Sequence, residues 1–345
     1  MARPPHPDEP PESIVVQQFA GIRNTVAPER LRPGELERAI NVDFDDEGQP
    51  RRRRGFTQLS DQPHHSLFNA SWGTLVVRNG DLGVLNPDFS LDVLVAGIGD
   101  SPVAYVETAE RVYFSSPGGS GKIASDRTVQ PWGTTEGSTW LSPVVNPTDT
   151  LTPIAGRLLG PPPVATALTE YNGRIYMAQG NILWATELYA YDYVDKTRNF
   201  LQFEDDITAL GSVGDGFFVG TQSKLHFLSG PFGQTRRIQA HPTGVLPGSM
   251  IKVPADTVRP ESSVSRGAVL FMAKTGLCVG LDSGICYNMT QTRVTFPQAE
   301  RAAAMFRMQD GMVQYVGVTD SRGTPTSNAR IGDYVDAEIR RHQGD

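Results

Sequence analysis

Residues Val164–Glu187 read VATALTEYNGRIYMAQGNILWATE. Apolar runs of four to six residues are separated first by Asn172-Gly173 and then by Gly180-Asn181. Asn-Gly between apolar runs is a strong short-range hairpin signal, because both turn residues must adopt positive φ. The stretch therefore predicts three short antiparallel strands joined by tight turns. Similar units flank it. WGTLVVRNGDLGVLNPD turns at Asn79-Gly80, and ITALGSVGDGFFVGTQSKLHFLSG at Asp215-Gly216. GAVLFMAKTGLCVGLDSGICYNMT turns near Thr275-Gly276, and RAAAMFRMQDGMVQYVGVTDS near Asp310-Gly311. The turns at Gly173, Gly216, Gly276 and Gly311 lie roughly 35–60 residues apart, against roughly 40–50 for a four-stranded propeller blade.

The 345-residue chain contains 35 Gly and 26 Pro and is 39% hydrophobic, which suits a turn-rich all-β protein with a sizeable core. A small antiparallel sheet cannot bury both faces alone, and radial packing of several such sheets does so. The fold expected is an all-β propeller of short antiparallel blades, with an extended N-terminal entry module and a polar C-terminal tail. Two β-sandwiches or barrels are the competing arrangement. The Pro-rich stretch at 156–168 is the best place to divide them, and it reads equally well as a crossover between blades. The expected divisions are a disordered arm (1–13), the entry module (14–65), the propeller (66–320) and the tail (321–345). Within the module, a strand is expected in SIVVQQF and a short helix from near Pro33 to before Asn41. In the tail, Ile331, Val335 and Ile339 are four apart, a spacing that suits a short amphipathic helix.

The entry module carries the strongest charge pattern, NVDFDDEGQPRRRRGF at Asn41–Phe56. Four arginines on an acidic chain of net charge −7 do not make a nucleic-acid-binding protein, which usually shows a basic excess. The pattern reads as a hairpin turning at Gly48. Alternation along a strand puts Arg51 and Arg53 on one face and Arg52 and Arg54 on the other. One pair can meet Asp43 and Asp45 across the hairpin, each exposed pair contributing ~0.2–1 kcal/mol. The other pair is left for a carboxylate of another subunit or a phosphate. Arg51, Arg52, Arg53, Arg54, Asp43 and Asp45 are thus the candidate subunit contacts. Asn41, Gly48, Gly55, Gly173 and Gly216 are the turn and motif positions.

Chemical motifs are weaker. The segment Gly118-Gly119-Ser120-Gly121-Lys122 resembles a phosphate-binding loop but has Ser116 and Ile123 where Gly and Ser/Thr are required, so it reads as a mobile loop between strands. None of His6, His64, His65, His226, His241 and His342 forms a metal-ligand pattern, and His226 reads as structural. Glu204-Asp205-Asp206 and Asp43-Asp45-Asp46-Glu47 lack EF-hand spacing and read as solvated charges, although paired carboxylates on a β scaffold also suit glycosidic chemistry. No Gly-x-Ser-x-Gly elbow occurs. Cys278 and Cys286 flank a hairpin around Asp282-Ser283-Gly284. They allow one cross-strand disulfide, and two buried thiols in a reduced compartment is the reading adopted. The N-terminus lacks the apolar region of a signal peptide, and no window suits a membrane helix. A soluble protein made in a cytoplasm is expected, with no catalytic residues, metal or cofactor.

The run FAGIRNTVAPERLRPGELERAINVDFDDEGQPRRRRGF resembles the opening of a family of tailed-phage virion proteins. Phe19, Gly21, Ile22, Pro33, Gly34, Glu35, Ala39, Asn41, Val42, Asp43, Gly48, Arg53, Gly55 and Phe56 fill its pattern. Tyr171–Gly230 is similar to the middle of that family, and Gly267–Thr290 to a late blade. The resemblance implies a β-propeller at the head-to-tail junction or tail nozzle of a bacteriophage, a structural protein rather than an enzyme. It implies a homo-oligomeric ring, such as a hexamer, that helps seal or guide packaged DNA. Its partners would be portal, adaptor or tail subunits. The location implied is the virion, after synthesis in the host bacterial cytoplasm. Double-stranded DNA would pass without tight binding, and an acidic chain suits that, since each neutralised phosphate adds salt-sensitive affinity that would stall ejection. A glycan- or receptor-binding propeller at the tail tip, with Trp132, Trp140, Trp184, Tyr189, Tyr191 and Tyr193 stacking sugars, is the alternative reading. A polysaccharide-degrading enzyme is a third.

Overall fold

The computed structural model describes residues 19–40, 42–44, 49–52, 57–133, 158–254, 267–290, 293–296, 298–309, 312–320 and 334–338. The described chain is all-β, apart from single 3-10 turns at Pro28–Arg30 and Asp282–Gly284. Its body is a β-propeller of meander sheets in chain order. Blade 1 comprises His64–Ala70, Gly73–Arg78, Asp81–Leu85 and Leu91–Val95. Blade 2 comprises Ala104–Thr108, Arg111–Ser116, Gly119–Ala124 and Val129–Pro131. Blade 3 is built from Ala167–Tyr171, Arg174–Gln179, Ile182–Ala185 and Phe200–Gln202. Blade 4 runs through Ile207–Ser212, Gly216–Thr221, Leu225–Ser229 and Arg236–His241. Blade 5 takes Ile251–Val253, Ala268–Ala273, Gly276–Leu281 and Cys286–Asn288. Blade 6 has Ala302–Gln309, Met312–Thr319 and Tyr334–Glu338. All strand pairs within the blades are antiparallel, and no sheet closes on itself. The first strand of each blade packs on the first strand of the next, from His64–Ala70 through to Ala302–Gln309.

The packing explains why these strands read as unbroken apolar runs rather than alternating ones. Each inner blade is buried on both faces, so successive residues serve opposite cores. In blade 4, Phe217 joins Tyr176 and Leu183 of blade 3, whereas Phe218 joins Phe271 and Val269 of blade 5. In blade 2, Phe114 faces Leu75 and Val77 of blade 1, and Tyr113 faces Ile175 and Met177 of blade 3. Leu270 and Val279 of blade 5 meet Tyr315 of blade 6. Full burial of each such large apolar side chain stabilises the fold by about 1.5–3 kcal/mol relative to exposure.

The expected turns at Asn79-Gly80 and Asn172-Gly173 are present, with φ of 53° and 80°, and 50° and 72°. Gly216 is not a central residue of its turn but the last one, where the next strand begins. It opens a strand paired with Leu225–Ser229, and a Cβ there would run into the Phe227 ring and the Leu228 carbonyl. The turn proper is closed by the Val213 N–H donating to the Gly216 carbonyl at 2.9 Å. The Asp310-Gly311 turn lies outside the described residues.

Three further expectations are corrected. No helix spans Pro33 to Asn41 in the described residues. Gly34, at φ 89°, breaks the helical path, and Glu35–Leu36 pairs in parallel with Gly21–Ile22 instead. Gly119–Ala124 is a strand of blade 2 and not a mobile loop; Lys122 is paired with Tyr113 and reaches Asp192 at 2.6 Å. Tyr334–Glu338 is a strand rather than part of a helix, with Val335 opposite Gly317. An open strand edge offers hydrogen bonds along its length, which outweighs a weak four-residue periodicity. Blade 1 therefore starts at His64, and blade 6 draws in residues beyond 320. Residues 1–13, most of SIVVQQF, Ile331 and Ile339 lie outside the described residues. No described helix is long and apolar enough to cross a membrane.

Candidate functional site

The charged hairpin forms. Val42–Phe44 pairs antiparallel with Pro50–Arg52, and the register sets Asp43 directly opposite Arg51 and Val42 opposite Arg52. Asp43 is buried, while Arg51 and Arg52 are exposed. Asn41, Asp45, Gly48, Arg53, Arg54, Gly55 and Phe56 lie outside the described residues.

The hairpin belongs to a module tied to the propeller by contacts of high sequence separation. The Asn24 side chain donates to the Thr295 carbonyl at 3.0 Å and accepts from the Thr295 N–H at 2.7 Å. The Asn24 N–H donates to the Arg293 carbonyl at 3.0 Å, and the Arg293 guanidinium donates to the Ala20 carbonyl at 2.6 Å. Residues 293–295 connect blade 5 to blade 6, so the start of the module is clamped beside the last blade. Within the module, Glu35 accepts from Arg23 at 3.2 Å and from the Arg32 N–H at 3.0 Å. The Arg32 N–H is the main cause holding the Glu35 carboxyl below its ordinary pKa, with Arg23 adding to it. Of the family pattern quoted above, Glu35 thus has a visible structural task. Asn24, outside the pattern, was missed because a single Asn in a polar run carries no sequence signal of a partner 271 residues away.

Titratable groups elsewhere converge at the joint between blades 3 and 4. His226 is buried, its ring 5.3 Å from that of Phe203. Arg237 stacks its guanidinium 4.2 Å over Phe203 and donates from Nε to His226 Nδ1 at 3.3 Å. Glu204 Oε2 lies 3.3 Å from Arg237, 3.7 Å from His226 Nε2 and 3.9 Å from Lys224. Burial, followed by the Arg237 charge, lowers the His226 pKa. The histidine is packed within this joint, against Phe203 and Arg237. Glu204, expected to be a solvated charge, is exposed but acts as the hub of this group. The neighbouring pair Arg236-Arg237 was the available signal, and it was overlooked. Among the described residues no three His, Cys, Asp or Glu side chains are grouped to hold a metal ion.

A shallow cleft of about 160 Å³ lies where blade 4 meets the Asp282–Gly284 turn, lined by Asp215, Phe227, Ser229, Arg236, Ile238 and Ser283. Its floor is closed, Phe227 being only 2% exposed. Its Asp215 carboxylate is already engaged, accepting from the Ser283 N–H at 2.9 Å and hydroxyl at 3.0 Å. In return Asp282 accepts from the Gly214 N–H at 2.7 Å, so the two turns interlock across blades 4 and 5.

The aromatics considered for sugar stacking serve mainly as packing. Trp132 is buried against Tyr113, its indole N–H donating to the Tyr191 carbonyl at 2.8 Å. Tyr191 meets Tyr113 edge-on, and Trp184 packs on Phe200. Tyr189 is exposed, with its ring lying over Gly173; Trp140 is outside the described residues. Cys278 is buried and Cys286 half-buried, both as free thiols. The hydrogen bond with Cys286, and then burial, push the Cys278 thiol pKa up.

No family model matches the chain, and no curated protein matches it. Solved structures with a similar fold include the N-terminal domain of Nup159, at 8% identity and a TM-score of 0.43, covering 73% of this chain and 72% of that one. The computationally designed Ika8 protein matches at 12% identity and 0.40, covering 73% and 67%. Kluyveromyces lactis Hsv2 matches at 7% and 0.36, covering 75% and 93%. At these scores the likenesses carry no argument, and the propeller assignment stands on the blade topology and the packing between blades.

Proposed function

We propose that this chain is a structural virion protein of a tailed bacteriophage, a ring-forming component of the head-to-tail junction or tail that helps seal or guide packaged DNA. The observation that carries this reading is the entry module. Its sequence has the family's opening pattern, its start is clamped to the blade 5–6 connector, and it holds Arg51 and Arg52 exposed on a short hairpin. Exposed arginines on a chain of net charge −7 favour acidic neighbouring subunits over a sliding duplex. Portal, adaptor or tail subunits are the partners this chemistry fits.

The test is co-sedimentation of the purified chain with portal, adaptor and tail proteins of a tailed phage, followed by the charge reversal Arg51→Glu/Arg52→Glu. Binding to one of these assemblies that weakens at least tenfold on charge reversal is the expected result. No binding to any of them, together with turnover or tight binding of a polysaccharide, would falsify the proposal.

A further inference from the structure

The outer strand of blade 5, Cys286–Asn288, has a free edge with an apolar stripe along it. The Leu281 N–H donates to the Ile285 carbonyl and the Met289 N–H to the Leu277 carbonyl, both at 2.8 Å, so the odd-numbered residues turn their backbone groups toward Gly276–Leu281. Alternation then turns the N–H and C=O groups of Cys286 and Asn288 outward, where no strand lies beside them among the described residues. Side chains alternate as well. Cys286 packs toward the blade 4–5 core, whereas Tyr287, opposite Val279, shares the face of the blade 5–6 core. Ile285, Tyr287 and Met289 form the stripe on that face and are 46%, 37% and 37% exposed.

The described chain begins at the end of this stripe. The Arg293 N–H donates to the Thr290 carbonyl at 2.9 Å, which folds the chain back just after Met289. The Arg293 guanidinium in turn holds the Ala20 carbonyl at 2.6 Å. The chain ahead of Phe19 therefore starts within an arginine side chain's reach of the turn that closes the stripe. Ile14–Gln18 spans roughly 13 Å when extended, the same span as Ile285 to Met289. It reads IVVQQ, with three β-branched apolar residues that suit a strand. We infer that Ile14–Gln18 adds to the free edge of blade 5 as a fifth strand. Both segments lead to the Arg293 turn, so the added strand runs parallel to Cys286–Asn288. Ile14 and Val16 lie on the Tyr287 side and extend the stripe, and Val15 lies on the Cys286 side. Addition at an open edge gains main-chain hydrogen bonds and alternate side-chain contacts, and it covers an edge that would otherwise invite other chains. The tether through Ala20 holds the segment at a high effective concentration beside that edge. The inference does not depend on the virion reading above.

The test is residue-resolved amide hydrogen exchange on the full chain and on its Ile14→Asp/Val16→Asp variant. In the unsubstituted chain the outward-facing amides of Cys286 and Asn288 are expected to be protected, to the same degree at a tenfold lower protein concentration. In the variant they should exchange at least tenfold faster, while the amides of Ala268–Ala273 stay protected and report an intact blade. Equal exchange at Cys286 and Asn288 in the two chains overturns the inference. Protection that falls on dilution also overturns it, by assigning the edge to a second copy. So does a variant that loses protection at Tyr334–Glu338 instead, which would place the segment on the outer edge of blade 6.

Discussion

Blade 5 and the entry hairpin lie at opposite extremes of one chain. Every residue of Ala268–Ala273 and of Gly276–Leu281 is buried, and every residue of Pro50–Arg52 is exposed. Both are short antiparallel strands, so backbone pairing alone does not separate them. What separates them is what lies on each face. Blade 5 has a neighbouring sheet on both sides and reads as continuous aliphatic sequence. The hairpin has charge, and its pairing leaves arginines at the surface. Stability should therefore reside in the blades, and recognition in the module.

The largest break in that contrast is expected at Phe271, fully buried between blades 4 and 5. Phe271→Ala should cost about 3–5 kcal/mol in denaturant unfolding. Less is expected at the interlocked turns: Asp215→Ala removes the acceptor for Ser283 and should cost about 1–2 kcal/mol, as loss of a capping side chain does. Acid should act next. Burial lowers the pKa of both His226 and His241, Arg237 adding to the effect at His226. The unfolded chain then takes up protons first as the pH falls below about 6.5, so stability is complete above that value. It declines as the pH falls toward the folded-state pKa values and levels off below them. Unfolding midpoints between pH 7.5 and 5 should show this slope, and His226→Gln should flatten it. Smallest of all, a double-mutant cycle on Asp43 and Arg51 should give no more than about 1 kcal/mol. A value several times larger would move the hairpin from recognition to stability.

The same contrast explains what the sequence made legible. Asn79-Gly80 and Asn172-Gly173 were readable because a two-residue hairpin constrains φ locally. The charged hairpin was readable because charge and alternation agree over a few residues, but which arginines lie opposite Asp43 was left open, and the register settles it on Arg51. Gly216 was misplaced because its requirement is not conformational: the Phe227 ring, from the next strand, occupies the space of a side chain. The expected helix after Pro33 failed at Gly34, and the strand at Tyr334–Glu338 depends on an edge presented by Met312–Thr319. The clamp between Asn24 and Thr295 and the His226–Arg237–Glu204 group join residues far apart in the chain, where local pattern carries no information.

A salt-titrated duplex-binding assay sharpens the recognition half. Weak binding at physiological salt is expected, changed little by Arg51→Ala/Arg52→Ala, since an acidic chain with few phosphate contacts has a shallow salt dependence. The most direct measurement is the mass of the purified chain by light scattering, alone and with portal and tail subunits of a tailed phage. A ring-sized species, formed unaided or on that template, is the predicted result. A chain that remains a single copy in every mixture while cleaving or tightly holding a polysaccharide would contradict a protein built to touch other subunits.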